Sequence, residues 1–154
     1  MSLDTDVLAI YFIYQWDPRF NIAKKIIESR AAKCTTIYNV LELCCLMAIA
    51  QGHLKSLELF KLLHKRKDFK VLYWKRFPKS QEEFVSIVMK YISRDLSVGD
   101  AIVSWLIEEN NVKTFITYNV RHFKGKILAE VLTPEEYVEK YFKHQCVLKY
   151  TLYT

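Results

Sequence analysis

The sequence predicts an α/β fold of three layers, in which helices cover both faces of a central, mostly parallel sheet. Short β-branched or alternating segments are separated by longer segments with the apolar spacing of helices, and this order is typical of parallel sheets. Only three Gly and three Pro occur in 154 residues, which argues against a turn-rich all-β fold. A hydrophobic fraction of 51% and a charged fraction of 26% exclude a mainly disordered chain. We expect residues 1–154 to form a single domain, because one domain usually has this length.

The first half of the chain begins with a very short strand that ends at Leu3. Asp4 and Asp6 offer N-cap oxygens to a helix over Val7–Tyr14, which Asp17-Pro18 ends because proline lacks a backbone N–H. The patterns that follow predict a helix over Phe20–Ala32, a strand over Cys34–Tyr38, a helix over Asn39–Gln51 ended by Gly52, a helix over Leu54–Lys67 and a strand over Phe69–Trp74.

The second half opens with a capping box, in which Ser80 is followed by Glu83, and this pattern predicts a helix to about Ser93. The next predicted elements are a helix over Ser97–Asn110, a strand over Thr114–Thr117 and a strand over Ile127–Leu132. The run Thr133-Pro134-Glu135-Glu136 supplies an N-cap, an N1 proline and an N3 glutamate, so it begins the last helix. The tail Cys146–Tyr153 alternates; it is either an edge strand or a mobile end.

The charge balance favours a polyanionic partner, because 23 Lys and Arg face 17 Asp and Glu, a net charge of +6. The longest apolar segments, Val7–Trp16 and Val40–Ala50, are shorter than the ~20 residues of a membrane-spanning helix. The first residues lack the basic and apolar regions of a secretory signal. Four cysteines without C-x-x-C spacing argue against zinc and for reduced thiols. We therefore expect a cytoplasmic protein that does not enter a membrane.

Acidic and amide side chains lie near the ends of the predicted strands. Asp4 and Asn119 each follow a strand, and Glu42 and Asp100 lie in the first turns of helices. Parallel sheets bind ligands beyond the carboxyl ends of their strands, and carboxylates gathered there repel one another until a cation such as Mg²⁺ relieves the repulsion. The alternative is local: Asp4 and Asp6 as N-caps, Glu42 and Asp100 as helix-start acids, and Asn119 as a turn residue. Spacing alone leaves both interpretations open.

Four motifs in order along the chain resemble those of PIN domains. Leu3-Asp4-Thr5-Asp6-Val7-Leu8 resembles the family's opening motif, and Asn39-Val40-Leu41-Glu42-Leu43 resembles the segment of its second acid. Ser97-Val98-Gly99-Asp100-Ala101-Ile102 is similar to the third motif, and Thr117-Tyr118-Asn119-Val120-Arg121-His122-Phe123 is similar to the fourth. Together with the closing run 131–137, the resemblance covers almost the whole chain.

The resemblance implies a PIN-like fold and a Mg²⁺- or Mn²⁺-dependent endoribonuclease, commonly the toxin of a VapC-type toxin–antitoxin pair. It also implies an RNA substrate, products with 5′-phosphate and 3′-hydroxyl ends, a homodimer and an antitoxin partner. The site residues that it implies are Asp4, Glu42 and Asp100 as metal ligands, Asn119 as a further catalytic residue, and Asp6 and Thr117 in support.

Two positions depart from the family pattern. Asn119 stands where many members have Asp, so the site loses one formal charge. Asp6 often corresponds to Asn, and we expect it either to restore part of that charge or to orient Asp4 through a water molecule. Only three residues precede Asp4, which shortens the first strand. Two other functions stay open: a PIN-like module that binds RNA or protein without cutting, and a PIN nuclease of RNA processing that has no antitoxin.

The segment from Lys61 to Lys79 is rich in basic and aromatic residues, and Asp68 is its only acid. Basic groups neutralise phosphates and aromatic rings stack on unpaired bases, so Lys65 and Arg66 of this segment are candidate RNA contacts. The alternative is a solvated basic helix end followed by a core strand.

Arg121 and His122 are closer in sequence to the candidate site, because they follow Asn119 directly. This position predicts that they contact the substrate. The alternative for His122 is a surface or loop residue.

Overall fold

The computed structural model describes the backbone of residues 1–150 and the side chains of residues 1–142. The strands of the described part are β1 (Ser2–Leu3), β2 (Lys33–Thr36), β3 (Phe69–Leu72), β4 (Thr114–Ile116) and β5 (Glu130–Leu132). They form one sheet in the order β3-β2-β1-β4-β5, and every neighbouring pair is parallel. The predicted α/β fold with a central parallel sheet is confirmed.

Helices connect the strands and cover both faces of the sheet. They are α1 (Thr5–Phe12), α2 (Phe20–Ile27), α3 (Ile37–Gln51), α4 (His53–Lys65), α5 (Gln81–Ile92), α6 (Val98–Glu109), α7 (Val120–Phe123) and α8 (Pro134–Tyr150). Successive residues of a strand point to opposite faces, and Phe115 and Ile116 of β4 accordingly belong to two different buried clusters. The chain therefore has the predicted three layers.

Each face of the sheet has its own apolar core. On the first face, α1 to α4 pack buried residues such as Leu8, Ile26 and Leu43 against the strands. On the second face, the ring of Phe123 lies 4.9 Å from the ring of Phe115, measured between centroids. This contact anchors the single-turn helix α7, and it explains the phenylalanine at the end of the fourth motif.

The strand β1 is only two residues long, yet it lies in the middle of the sheet. Ser2 pairs with Cys34 on one side, and Leu3 pairs with Ile116 on the other. The backbone N–H of Asp4 continues the ladder by donating to the carbonyl of Ile116 at 3.0 Å. The sheet thus tolerates the short first strand because flanking backbone groups extend its pairing.

The predicted helix caps are confirmed. The Ser80 hydroxyl accepts a hydrogen bond from the Glu83 N–H at 3.1 Å and begins α5. Thr133 and Glu136 form a reciprocal capping box, in which each side chain accepts from the other residue's N–H, at 3.1 and 2.8 Å. Polar residues at these positions satisfy N–H groups that have no partner inside a helix.

Several boundaries in the first half differ from the prediction. The helix predicted to reach Ala32 ends at Ile27, because the buried Lys33 ammonium holds the chain in a turn by donating to the carbonyls of Ser29 and Ala31 at 2.6 and 2.8 Å. The helix predicted to reach Tyr14 ends at Phe12.

The strand predicted to reach Tyr38 ends at Thr36, whose hydroxyl accepts from the Asn39 N–H and caps α3. The helix therefore begins at Ile37 rather than at Asn39. Glu42 consequently lies in the second turn of α3, so the expectation that it lies in the first turn of this helix is wrong.

The remaining differences lie at later ends of elements. The helix predicted to reach Lys67 ends at Lys65, because Arg66 turns to pair with Asp68. The strand predicted to reach Trp74 ends at Leu72, and Trp74 packs instead against Trp105 with ring centroids 5.8 Å apart.

The strand predicted from Ile127 begins only at Glu130. The backbone stays helical through Tyr150, so an edge strand from Cys146 is wrong up to that residue. Residues 151–153 of that prediction lie outside the described residues. Within residues 1–150, no helix combines the length and the apolar composition that crossing a bilayer requires.

Candidate active site

The strand order changes direction at the centre of the sheet, where β1 is followed on one side by β2 and on the other by β4. Parallel sheets bind ligands in the crevice beyond the carboxyl ends of the strands at such a point. A cleft of about 440 Å³ lies there, and its walls are Asp4, Thr5, Asp6, Glu42, Cys45, Leu46, Asp100 and Asn119. The fold thus brings five sequence-predicted residues from four separate segments together.

Asp4 is the most enclosed acid of the cleft, with 8% of the residue exposed. Its Oδ1 accepts from the Thr5 N–H and from Asn39 Nδ2, both at 2.8 Å, and its Oδ2 accepts from the Thr117 hydroxyl at 2.7 Å. Burial, and next the charge of Asp6, raise the pKa of Asp4 to about 7. Asp4 therefore caps α1 and also lines the cleft, so the two interpretations of this residue are compatible.

Asp6 is tied to Asp4 through the Thr117 side chain. Asp6 Oδ2 accepts from the Tyr118 N–H at 2.9 Å and lies 3.2 Å from the Thr117 hydroxyl, which also bonds to Asp4. The same hydroxyl accepts from the Asn119 N–H at 2.9 Å. The Thr117 hydroxyl thus provides a link between Asp6 and Asp4 for which the sequence suggested a water molecule. Burial raises the pKa of Asp6 as well.

Thr117→Val is expected to destabilise the protein by about 1–3 kcal/mol, because two buried carboxyl groups and one N–H lose a shared partner. Urea unfolding measures this loss. Thr117→Ser keeps the hydroxyl and removes only a methyl group, worth about 0.8 kcal/mol, so its loss of stability should be the smaller of the two. Equal losses in the two variants would contradict a role for the hydroxyl.

Glu42 approaches the cleft from α3. Its Oε2 accepts from the Thr5 hydroxyl at 2.7 Å, and burial, together with the charge of Asp100, raises its pKa. Asp100 approaches from the first turn of α6, where Gly99 lets the helix come close to α3. A Cβ atom at Gly99 would lie 3.0 Å from the Tyr38 hydroxyl oxygen, which is tighter than side chains normally allow.

The predicted substrate contacts divide into two groups. His122 Nδ1 lies 3.4 Å from Asp100 Oδ2, which lines the cleft, and Arg121, the preceding residue, is exposed. Arg66 is the C-cap of α4, in the turn before the edge strand β3, where it pairs with Asp68 at 2.7 Å. Lys65 ends the helix before it. The structure therefore does not bring Lys65 and Arg66 to the cleft, and their segment has the predicted alternative form, a helix end followed by a core strand.

The comparisons with known proteins agree with this geometry. The model of the PIN domain family matches residues 1–126, which include every acidic and amide residue of the cleft. The chain belongs to the PIN domain family. No curated protein sequence is similar enough to count as a match.

Two solved structures share the PIN fold with this chain. One is VapC20 of Mycobacterium tuberculosis, a sarcin-ricin loop cleaving toxin, with a TM-score of 0.56 and 14% identity over 74% of this chain and 85% of that chain. The other is VapBC-1 of nontypeable Haemophilus influenzae, with a TM-score of 0.59 and 20% identity over 87% of this chain and 97% of that chain. At these identities the likeness concerns the fold.

The donor set of this PIN domain matches a hard divalent cation. Carboxylate oxygens of Asp4, Glu42 and Asp100 and the amide oxygen of Asn119 are the atom types that Mg²⁺ and Mn²⁺ prefer. Among the described residues, no three His, Cys, Asp or Glu side chains converge closely enough to hold one ion in this conformation. These residues therefore offer the oxygen ligands that such a cation prefers, but in this structure the acidic side chains are too far apart for three of them to hold one ion.

Sequence reasoning assigned no site role to Thr5 or Asn39. Asn39 is fully buried and donates to both Asp4 and Thr5. One signal was present, because Asn39 lies three residues before Glu42 and therefore on the same helix face. Cys45 and Leu46 also line the cleft without a prior assignment.

Proposed function

We propose that this chain is a Mg²⁺- or Mn²⁺-dependent endoribonuclease, and that it is the toxin of a VapC-type toxin–antitoxin pair. The observation that carries the proposal is the cleft that Asp4, Glu42, Asp100 and Asn119 line together, at the switch point of the sheet in a PIN fold. The raised pKa values of Asp4 and Glu42 accord with it, because burial and neighbouring acids disfavour their charged forms, and a bound divalent cation would favour those forms.

Asp4, Glu42 and Asp100 would hold the cation, and Asn119 would support it through its amide oxygen. A divalent cation, when bound, polarises a phosphate oxygen and eases the deprotonation of water near neutral pH. Thr5 and Thr117 orient the carboxylates through the hydrogen bonds described above. Attack of a water oxygen on phosphorus, in line with the leaving O3′ atom, would form a P–O bond and break the P–O3′ bond, so one fragment would carry a 5′-phosphate and the other, once O3′ takes up a proton, a 3′-hydroxyl; no 2′-hydroxyl nucleophile is needed.

Arg121 and His122 are the proposed substrate contacts. Both belong to the short helix α7, whose N-cap Asn119 lines the cleft, and the guanidinium of Arg121 would neutralise phosphate charge while the His122 ring could hydrogen-bond to the substrate. The net charge of +6 supports a polyanionic substrate.

The wild-type protein is expected to cut a labelled single-stranded RNA when Mn²⁺ is present and to leave it intact in EDTA. The cut fragments should carry 5′-phosphate and 3′-hydroxyl ends, which enzymatic end-labelling identifies. RNA binding without cutting in Mn²⁺ would contradict the nuclease. Cutting that persists in EDTA would contradict metal dependence.

A second candidate function is a PIN module that binds RNA or protein without cutting. Two observations favour it: the neutral Asn119 at a position where many family members have Asp, and the described acids that do not converge on one point. A stand-alone RNA-processing nuclease shares the proposed chemistry. A small neighbouring reading frame that encodes a DNA-binding N-terminus would favour the toxin over that nuclease.

We also propose an antitoxin partner, a homodimer and a cytoplasmic location. The similarity to VapBC-1 supports the antitoxin. Leu41 and Ile49 of α3 are 56% and 80% exposed, and apolar side chains so exposed beside a cleft support a protein contact. Light scattering measures the dimer directly, since one chain has a mass of 18.3 kDa.

We propose further that residues 1–154 act as one domain. α8, which lies beyond the matched residues 1–126, packs against the rest of the chain. Tyr137 is part of the first core, and the Lys25 ammonium lies 5.6 Å from the ring of Phe142.

A further inference from the structure

Asn39 is a fully buried polar residue whose side-chain amide points at the cleft. Its Nδ2 donates to Asp4 Oδ1 at 2.8 Å and to the Thr5 hydroxyl oxygen at 2.9 Å. Its Oδ1 accepts from the Thr36 hydroxyl at 2.5 Å. Every hydrogen-bonding atom of the amide therefore has a partner, and both of its hydrogens go to side chains of the candidate site.

The direction of these hydrogen bonds is fixed by counting hydrogens. The Thr36 oxygen accepts from the Asn39 backbone N–H, so its single hydrogen is free to go to Asn39 Oδ1. Asp4 Oδ1 is an acceptor that already takes the Thr5 N–H, so the amide nitrogen, and not the amide oxygen, faces Asp4 and Thr5. Thr5 accepts from that nitrogen and keeps its own single hydrogen for Glu42 Oε2, at 2.7 Å. One amide thus orients two carboxylates, one directly and one through a hydroxyl.

The helix does not need this amide for its own start. Thr36 already caps α3 through its hydroxyl, which accepts from the Asn39 backbone N–H at 3.1 Å. Most side-chain hydrogen bonds in proteins go to the backbone or to water, whereas both amide hydrogens of Asn39 go to the side chains of Asp4 and Thr5.

We propose that Asn39 is a positioning residue that fixes the side chains of Asp4 and Glu42 for a divalent cation without touching the cation itself. The inference rests on the proposed function, because it assigns to Asn39 a part in the same site. Groups that orient metal ligands typically change metal affinity by about 10–100-fold when they are removed.

The test is Mn²⁺ affinity, measured by titration calorimetry on the full chain at a temperature where each variant is folded. Asn39→Leu replaces the amide by an apolar group of similar size and is expected to weaken Mn²⁺ binding by about 10–100-fold. Ser104→Ala is the matched control. Ser104 is equally buried, but its hydroxyl donates to the backbone carbonyl of Asp100 at 2.6 Å, so its removal should leave Mn²⁺ affinity within about threefold.

Thr5→Val removes the hydroxyl that links Asn39 to Glu42 and leaves Asn39 in place. It is expected to weaken Mn²⁺ binding about tenfold, and this variant keeps the test open if Asn39→Leu does not fold. In the double variant the two effects should be less than additive, because both substitutions break one path to Glu42. The effects of Asn39→Leu and Ser104→Ala on the free energy of Mn²⁺ binding should be additive.

The possible failures are distinguishable. Wild-type affinity in Asn39→Leu, or an equal loss in Ser104→Ala, overturns the positioning role and leaves the proposed nuclease intact. A wild-type protein that does not bind Mn²⁺ overturns both.

Discussion

Asp100→Asn is expected to lower Mn²⁺-dependent RNA cleavage by at least about a thousandfold. The substitution removes one of three carboxylates that would hold the cation, and each 1.36 kcal/mol lost from transition-state stabilisation is a tenfold loss of rate. The fold should survive, because the Asp100 side chain is 23% exposed and because its backbone N–H still donates to the Ser97 hydroxyl, which caps α6. A cleavage assay on labelled RNA measures the rate, and urea unfolding verifies the fold.

The matched control is Asp95→Asn. This side chain is 99% exposed and pairs with Lys126, away from the cleft. Its backbone φ of 63° is one that asparagine adopts readily, so the same chemical change costs little there. The control should cut RNA at a rate within about twofold of the wild type. If Asp100→Asn also cuts at that rate, Asp100 is not part of the catalytic site.

Asp4→Asn is expected to remove most of a pH-dependent loss of stability that the metal-free wild type shows. The folded state raises the pKa of Asp4 from its ordinary value of 3.8 to about 7, because the carboxyl is buried and lies near Asp6. The folded protein therefore holds a proton that the unfolded chain has released. Stability is full below the lower of these values, falls as the pH rises from the lower to the higher, and levels off above the higher; the loss is on the order of 4 kcal/mol in all, of which about 2–3 kcal/mol falls between about pH 5 and about pH 8.

The measurement is urea unfolding of both proteins in EDTA, at about pH 5 and about pH 8. Asn keeps the shape and can still accept from Thr5 and Asn39 through its oxygen, but it carries no charge to bury. An equal fall of stability in wild type and Asp4→Asn would contradict the assignment of the effect to Asp4.

Mn²⁺ should restore the stability that the metal-free wild type loses as the pH rises, and it should not stabilise Asp4→Asn. A ligand at about 100 times its dissociation constant stabilises the folded state by about 2.7 kcal/mol. A wild-type unfolding midpoint at about pH 8 that does not respond to Mn²⁺ would contradict a cation site at Asp4.

Local chemistry explains which elements could be predicted from the sequence. The caps at Ser80 and Thr133 were predictable because a helix start needs hydrogen-bond acceptors within a few residues. The end of α2 was not, because it depends on Lys33, whose buried ammonium reaches back to two carbonyls in the preceding turn. Nothing in residue spacing distinguishes this lysine from a solvated one.

The residues of the candidate site divide in the same way into those that local sequence predicts and those that it does not. Asp4, Glu42, Asp100 and Asn119 could be singled out because acids and amides near strand ends recur in the PIN motifs. Arg66 was proposed as an RNA contact from the composition of its segment alone, and composition does not determine where in the sheet a basic segment lies.

The amino-acid order by itself determined the alternation of strands and helices and the set of polar groups available to the cleft, since both depend on neighbours within a few positions. Only the tertiary structure decided that β1 lies between β2 and β4, that Thr117 bridges Asp4 and Asp6, and that Asn39 serves two carboxylates. These contacts join residues up to 113 positions apart, which only the assembled sheet brings within hydrogen-bond distance.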